Sequence, residues 1–215
     1  MDQDRQGIRT PRSLDPLPSV LSRRDLAQFH EEAIHALSQA GAAASAAATP
    51  EEALWAITHT LPGLLGDREA HLQPGDLKAG EQQQYACGCF IVTPDEQHQV
   101  LVAPVNFGPT QRHMKIDITL GHPGTVVASK QPLLLANTDM HKSFVKILET
   151  FRAGSAVFAP LMWGSDALGV LICASQARHT FNKTDLAVHV AFSHLAAAQW
   201  IAHAGPAYFP YLTGH

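Results

Sequence analysis

The spacing of apolar residues changes twice along this 215-residue chain, and that change constrains the fold more than any other feature. Up to about residue 66 the apolar positions recur at helical intervals. From 85 to 174 they alternate or run in short β-rich blocks, and from 183 to 203 the helical interval returns. The order is helices, strands, short helices, strands, helix, which reads as one α/β domain.

Ser22 is placed to cap a first helix, Asp25 favours its first turn, and Leu26, Phe29, Ala33, Ile34 and Leu37 follow at helical spacing. Thr49 and Pro50 begin a second helix in cap-then-proline order, with Leu54, Ile57, Leu61 and Leu64 on its inner side. After a polar loop over 67–84, two β-rich runs, 85–93 and 99–105, are separated by a polar turn and predict an antiparallel hairpin. A short strand over 115–119 leads into a glycine turn, 121–125, then a brief helix over 126–130 and a strand over 132–136. A polar loop, 137–142, precedes a helical stretch, 143–151. Strands over 156–163 and 167–174 are joined by Gly164, Ser165 and Asp166. Asn182 caps a closing helix over 183–203, with Leu186, Val190, Leu195, Ala198 and Ile201 expected on its buried side. Residues 1–21, with Pro11, Pro16 and Pro18, are expected to form a loose tail before a domain over 22–204. Residues 205–215 form a second tail, whose Tyr208, Phe209 and Tyr211 either cover a pocket or partner or stay without order.

Composition narrows the function classes. A formal net charge of −4 gives no basic surplus for a phosphate backbone, so nucleic acid is not an expected partner. No apolar run approaches a bilayer span and no secretory signal stands at the start, so neither a membrane nor export is expected. Three cysteines cannot pair into a framework, which fits a reducing, cytoplasmic setting.

The stretch from Gly121 through Val126, Val127 and Ala128 to Pro132, Leu133, Leu134, Leu135, Asn137 and Asp139 resembles the middle of GAF domains. Ser155 to Leu161 with Pro160, then Gly164, Leu168-Gly169-Val170-Leu171 and Phe181 before Asp185, is similar to the ending of that family. The resemblance covers about 22–204. It implies a GAF/PAS-like α+β fold: a central antiparallel sheet with the N- and C-terminal helices on one face and a ligand pocket on the other. The pocket is then roofed by about 113–125 and 137–151. It further implies a small-molecule ligand and a homodimer through the terminal helices. Haem or iron is a cofactor in some members.

The ligand-binding candidates follow from those roof segments. His113, His122 and His141 fall there, and imidazoles bind metals, donate to anions or change charge near neutrality; each also reads as an ordinary loop histidine. Met114 is a sulfur candidate beside them should haem or iron be bound. Thr125 closes the glycine turn. Asn137, with Asp139, ends a strand, where polar groups either orient a ligand or make a turn. Phe144 reads as cavity lining or core. Cys87 and Cys89, two apart on a strand, share a face; they read as soft-metal or redox ligands or, more commonly, as small core residues. Free methionine sulfoxide reductases of the GAF family need roof-loop thiols, and residues 106–124 contain no cysteine.

Two functional expectations result. The first is a sensory or regulatory GAF domain that binds a small molecule and signals through a dimer or a regulatory protein partner. The second is a haem- or iron-binding protein with redox or lyase activity.

Overall fold

The computed structural model describes residues 25–213. Helix α1 spans Leu26–Ser45, and its cap is Asp25 itself, whose carboxylate accepts from the Ala27 and Gln28 amides. The cap expected at Ser22 lies outside the described residues. Phe29 and Ala33 are buried, whereas Leu26 and Ile34 stand in solvent, so the inner stripe of α1 is narrower than its apolar spacing predicts. Helix α2, Pro50–Leu64, is capped by the Thr49 hydroxyl and buries Leu54, Ile57, Leu61 and Leu64 as expected.

Six strands form one sheet: β1 Tyr85–Val92, β2 His98–Val105, β3 Lys115–Asp117, β4 Leu133–Leu135, β5 Ser155–Trp163 and β6 Asp166–Ser175. Their order is β3-β2-β1-β6-β5-β4, every pair antiparallel. The β1–β2 hairpin forms where alternation predicts it, closed by the Thr93 amide on the His98 carbonyl. Pro160 sits at a bulge of β5, beyond the short reach of β4, where a missing N–H costs no ladder bond. At Gly169 any Cβ would overlap the Phe90 carbonyl oxygen of β1, so only glycine lets the two strands close.

The two faces of the sheet carry separate cores. One core is covered by α1, α2, α4 (Lys183–Ala202) and α5 (Gly205–Thr213), and takes Cys87, Cys89, Ile91, Val157, Leu171 and Cys173 from the strands. The other takes Ala86, Phe90, Leu101, Ala156, Phe158, Ile172 and Ala174 and is covered by α3 (Gly121–Ser129) and the irregular segment 141–153.

Four expectations need correction. Helix α3 already begins at Gly121, so the predicted glycine turn is its first turn; the fixed φ of Pro123 suits that position. Residues 143–151 are not helical, although Phe144, Ile147, Leu148 and Phe151 keep helical spacing. There the backbone is claimed by other partners: the Gln111 side-chain amide donates to the Ile147 carbonyl and accepts from the Glu149 amide. The Thr150 hydroxyl donates to the Asn106 carbonyl. In α4 the fully buried residues are Asp185, His189, Phe192, Ser193, Ala196, Ala197 and Trp200, whereas the predicted Leu186, Leu195 and Ile201 are only partly buried against the same core and Ala198 is exposed. The helix is apolar almost all round, so spacing alone cannot choose a face, and polar groups turn inward where they find partners. Lastly, residues 205–213 are helix α5, with Phe209 edge-on to Trp200 and both Phe209 and Leu212 buried.

Candidate functional site

Between the sheet and its irregular cover lies a small cavity of about 40 Å3. Its floor comes from β5 and β6, with Ala156, Phe158, Ile172 and Ala174. Its walls include His122 and Pro123 of α3 and Phe107 from the segment after β2. A strap, residues 141–153, closes the top and contributes Phe144 to Leu148.

Both ends of the strap are tied to the body. At its start, Asp139 pairs with Lys78 at 2.8 Å and with Arg178 at 3.0 Å, and Arg178 pairs with Glu81 in turn. The Arg178 side chain is almost wholly buried, which fixes this junction. The Lys78 ammonium, followed by the Arg178 guanidinium, pushes the Asp139 carboxyl down to about 2. The Thr138 hydroxyl donates to the Ala153 carbonyl at 2.6 Å and joins the two ends of the strap. Its middle is gripped by Gln111, a buried amide that accepts from Gly108 and Glu149 at 2.9 and 3.0 Å and donates to Ile147 at 2.8 Å.

His122 is the polar group of the cavity. It is 9% exposed, and its imidazole meets Phe144 at 5.7 Å, Phe158 at 5.9 Å and His141 at 6.1 Å between ring centres. No hydrogen bond to this imidazole is found among the described residues. Burial first, and then the neighbouring His141, holds its pKa below the ordinary range, so the ring is neutral near pH 7.

The sequence candidates therefore separate. His122 and Phe144 line the cavity, and His141 stands exposed behind His122. His113 does not reach it: its Nε2 lies 2.9 Å from Glu51 Oε1 on α2, where Arg112 clamps the same carboxylate with two bonds. Burial would raise the Glu51 carboxyl, but Arg112 and His113 together hold it below its ordinary value. Met114 packs at the edge of the cavity-side core and accepts from Gln111, outside the lining. The Thr125 hydroxyl donates to the Gly121 carbonyl within α3. Asn137 accepts from the Asp139 amide and so shapes a turn, while Asp139 serves the ionic junction. Cys87 and Cys89 face the helices, fully buried, and burial pushes both thiols up.

An iron ion finds no gathered ligand set among the described residues at this cavity, and a volume of about 40 Å3 does not admit a porphyrin as it stands. Of the three roof histidines one lines the cavity, one is exposed and one is bonded to α2. Among the described residues no group of three or more His, Cys, Asp or Glu side chains is placed to hold a metal ion. Sequence reasoning missed Gln111 and Arg178, whose roles depend on contacts 36 to 97 residues away that leave no local pattern.

An antiparallel sheet with helices on one face and a strapped cavity on the other is the α+β architecture of GAF-type domains. The GAF domain family model matches residues 51–200, and the chain belongs to that family. Solved structures agree on the fold. The GAF domain of a phosphoenolpyruvate-protein phosphotransferase from Coxiella burnetii is similar at TM-score 0.66 and 23% identity, covering 81% of this chain and 95% of that one. The corresponding Acinetobacter domain gives 0.64 and 16%, covering 85% and 96%. A free methionine-R-sulfoxide reductase from Neisseria meningitidis, in complex with its substrate, gives 0.63 and 17%, covering 86% and 95%. No curated protein matches the chain. Among the described residues no helix is long and apolar enough to cross a membrane.

Proposed function

We propose that this domain is a small-molecule sensor whose ligand enters the cavity beneath the strap. The observation that carries the reading is His122, a residue 9% exposed that lines the cavity and whose imidazole has no protein hydrogen-bond partner among the described residues. A polar group in an otherwise apolar pocket wall is the kind that orients a ligand, and this imidazole is available to bond one. As it stands the cavity is far smaller than the roughly 300–1,000 Å3 of common ligand sites, so binding must shift the strap. That shift is the signal. The terminal helices pass it to a second copy of the chain or to a regulatory protein. Ile34 of α1 is 70% exposed beside Leu37, Val188 and Ala191, an apolar seam that supports a homodimer there.

The likeness to a methionine sulfoxide reductase does not bring thiol chemistry to this cavity, because all three cysteines lie on the opposite face of the sheet. The test is thermal denaturation against cyclic nucleotides, free amino acids and small aromatic compounds, comparing the wild type with Ala156→Leu, which fills the floor. At least one class should raise the melting temperature of the wild type and not of the variant. A panel that stabilises neither protein, or both equally, refutes the reading.

A further inference from the structure

The shape and chemistry of the cavity narrow its ligand further, given the sensor reading. Ala86, Ala174 and Ala156 stand directly opposite one another across β1, β6 and β5 on the cavity side. Sheet cores usually place larger aliphatic residues in such a row; of the three, Ala174 and Ala156 line the cavity, and their methyl groups side by side leave a flat patch about 5 Å across.

Around this patch stand the rings of Phe107, His122, Phe144 and Phe158, with the aliphatic Val145, Ile147 and Leu148 of the strap. The imidazole of His122 is tilted 36° from Phe144 and 30° from Phe158, closer to parallel than to edge-on. Lys146 is the one charged side chain of the lining, and its residue is exposed. A multiply charged ligand would therefore be desolvated without compensation. A flat ring would keep dispersion contact with methyls below and rings beside it.

Phe144 lines the same cavity from the strap. It is half-buried on a strap without helix or strand, packed on His122, with the Arg152 guanidinium 5.3 Å from its ring centre. The remaining 40 Å3 is room for a water or two and not for a six-membered ring.

We propose that the cavity takes a small, uncharged aromatic molecule carrying one hydrogen-bonding heteroatom, phenol being the simplest, and that its ring replaces Phe144 against His122. The heteroatom bonds the neutral imidazole. Phe144 thus acts as a built-in plug, and its expulsion moves the strap.

The experiment is a titration of protein labelled at alanine methyl carbons with phenol and, separately, cyclohexanol, which has the same heteroatom on a puckered ring. Phenol should shift the Ala153, Ala156 and Ala174 signals saturably and show contacts from its ring protons to those methyls. It should bind about tenfold more tightly than cyclohexanol. Phe144→Ala should tighten phenol binding by about tenfold, because no plug is displaced. His122→Phe, which keeps a ring and loses the nitrogens, should weaken it by about fivefold. If Phe144→Ala does not fold, the wild-type comparison of the two alcohols decides alone. Equal binding of phenol and cyclohexanol, or no alanine shift with phenol, overturns this inference. Stabilisation by a cyclic nucleotide or amino acid in the thermal panel would still leave the sensor reading intact in that event.

Discussion

His189 is fully buried between α4 and the sheet, and its titration should make stability fall as the solution is acidified. Its Nε2–H donates to the Leu171 carbonyl at 2.9 Å, and Nδ1 has no partner among the described residues. Burial pushes its pKa down to about 4, with the Leu171 bond opposing weakly. The unfolded chain holds an ordinary imidazole near 6.5 and so binds more protons than the folded chain between pH 6.5 and 4. Stability therefore rises with pH across that window, is complete above about pH 7.5, and is lost on the way down to 4. That depression of the pKa corresponds to roughly 3 kcal/mol in total, of which about 2 kcal/mol has gone by pH 5. For a domain of this size 2 kcal/mol lowers the melting temperature by about 4–8 °C. His189→Gln keeps a donor for Leu171 and does not titrate. Melting followed by circular dichroism between pH 8 and 5 should show the wild type falling more steeply than the variant by that amount. Parallel curves would refute the argument, because other groups titrate alike in both proteins.

Three other substitutions test separate parts of the structure. Gly169→Ala forces a methyl into the Phe90 carbonyl of β1 and should cost more than about 2 kcal/mol, measured by urea denaturation; a neutral result would mean that the strands can part there. Gln111→Leu removes the two hydrogen bonds by which this side chain holds the strap and should speed exchange of the Glu149 amide by at least about tenfold, with much less effect on β1 and β6 amides. Ile34→Lys places a charge in the α1–α4 seam and should convert a dimer to a monomer in light scattering; a monomeric wild type would end the case for that seam.

Much of the fold could be read locally. Thr49-Pro50 and Asn182 mark helix starts through short-range chemistry, and alternation in 85–105 locates a hairpin whose partners lie within a few residues. Legibility ended where distant atoms decide. Phe144, Ile147, Leu148 and Phe151 carry a helical period, but Gln111 and Thr150 tie that backbone into a strap, and tertiary bonds outweigh propensity. The same holds for the site. His122 could be expected beside the cavity because the GAF resemblance makes its segment part of the roof. His113, nine residues earlier, has a left-handed backbone, φ 62°, that accompanies its turn toward Glu51, and no pattern in the sequence announces it.

The grip of Gln111 on the strap has an evolutionary corollary. It holds the Ile147 carbonyl and the Glu149 amide, atoms that every amino acid except proline at 149 supplies. Side chains along 144–148 are therefore free to drift without loosening the tether, so descendants of this domain can change what they recognise while inheriting the way they close.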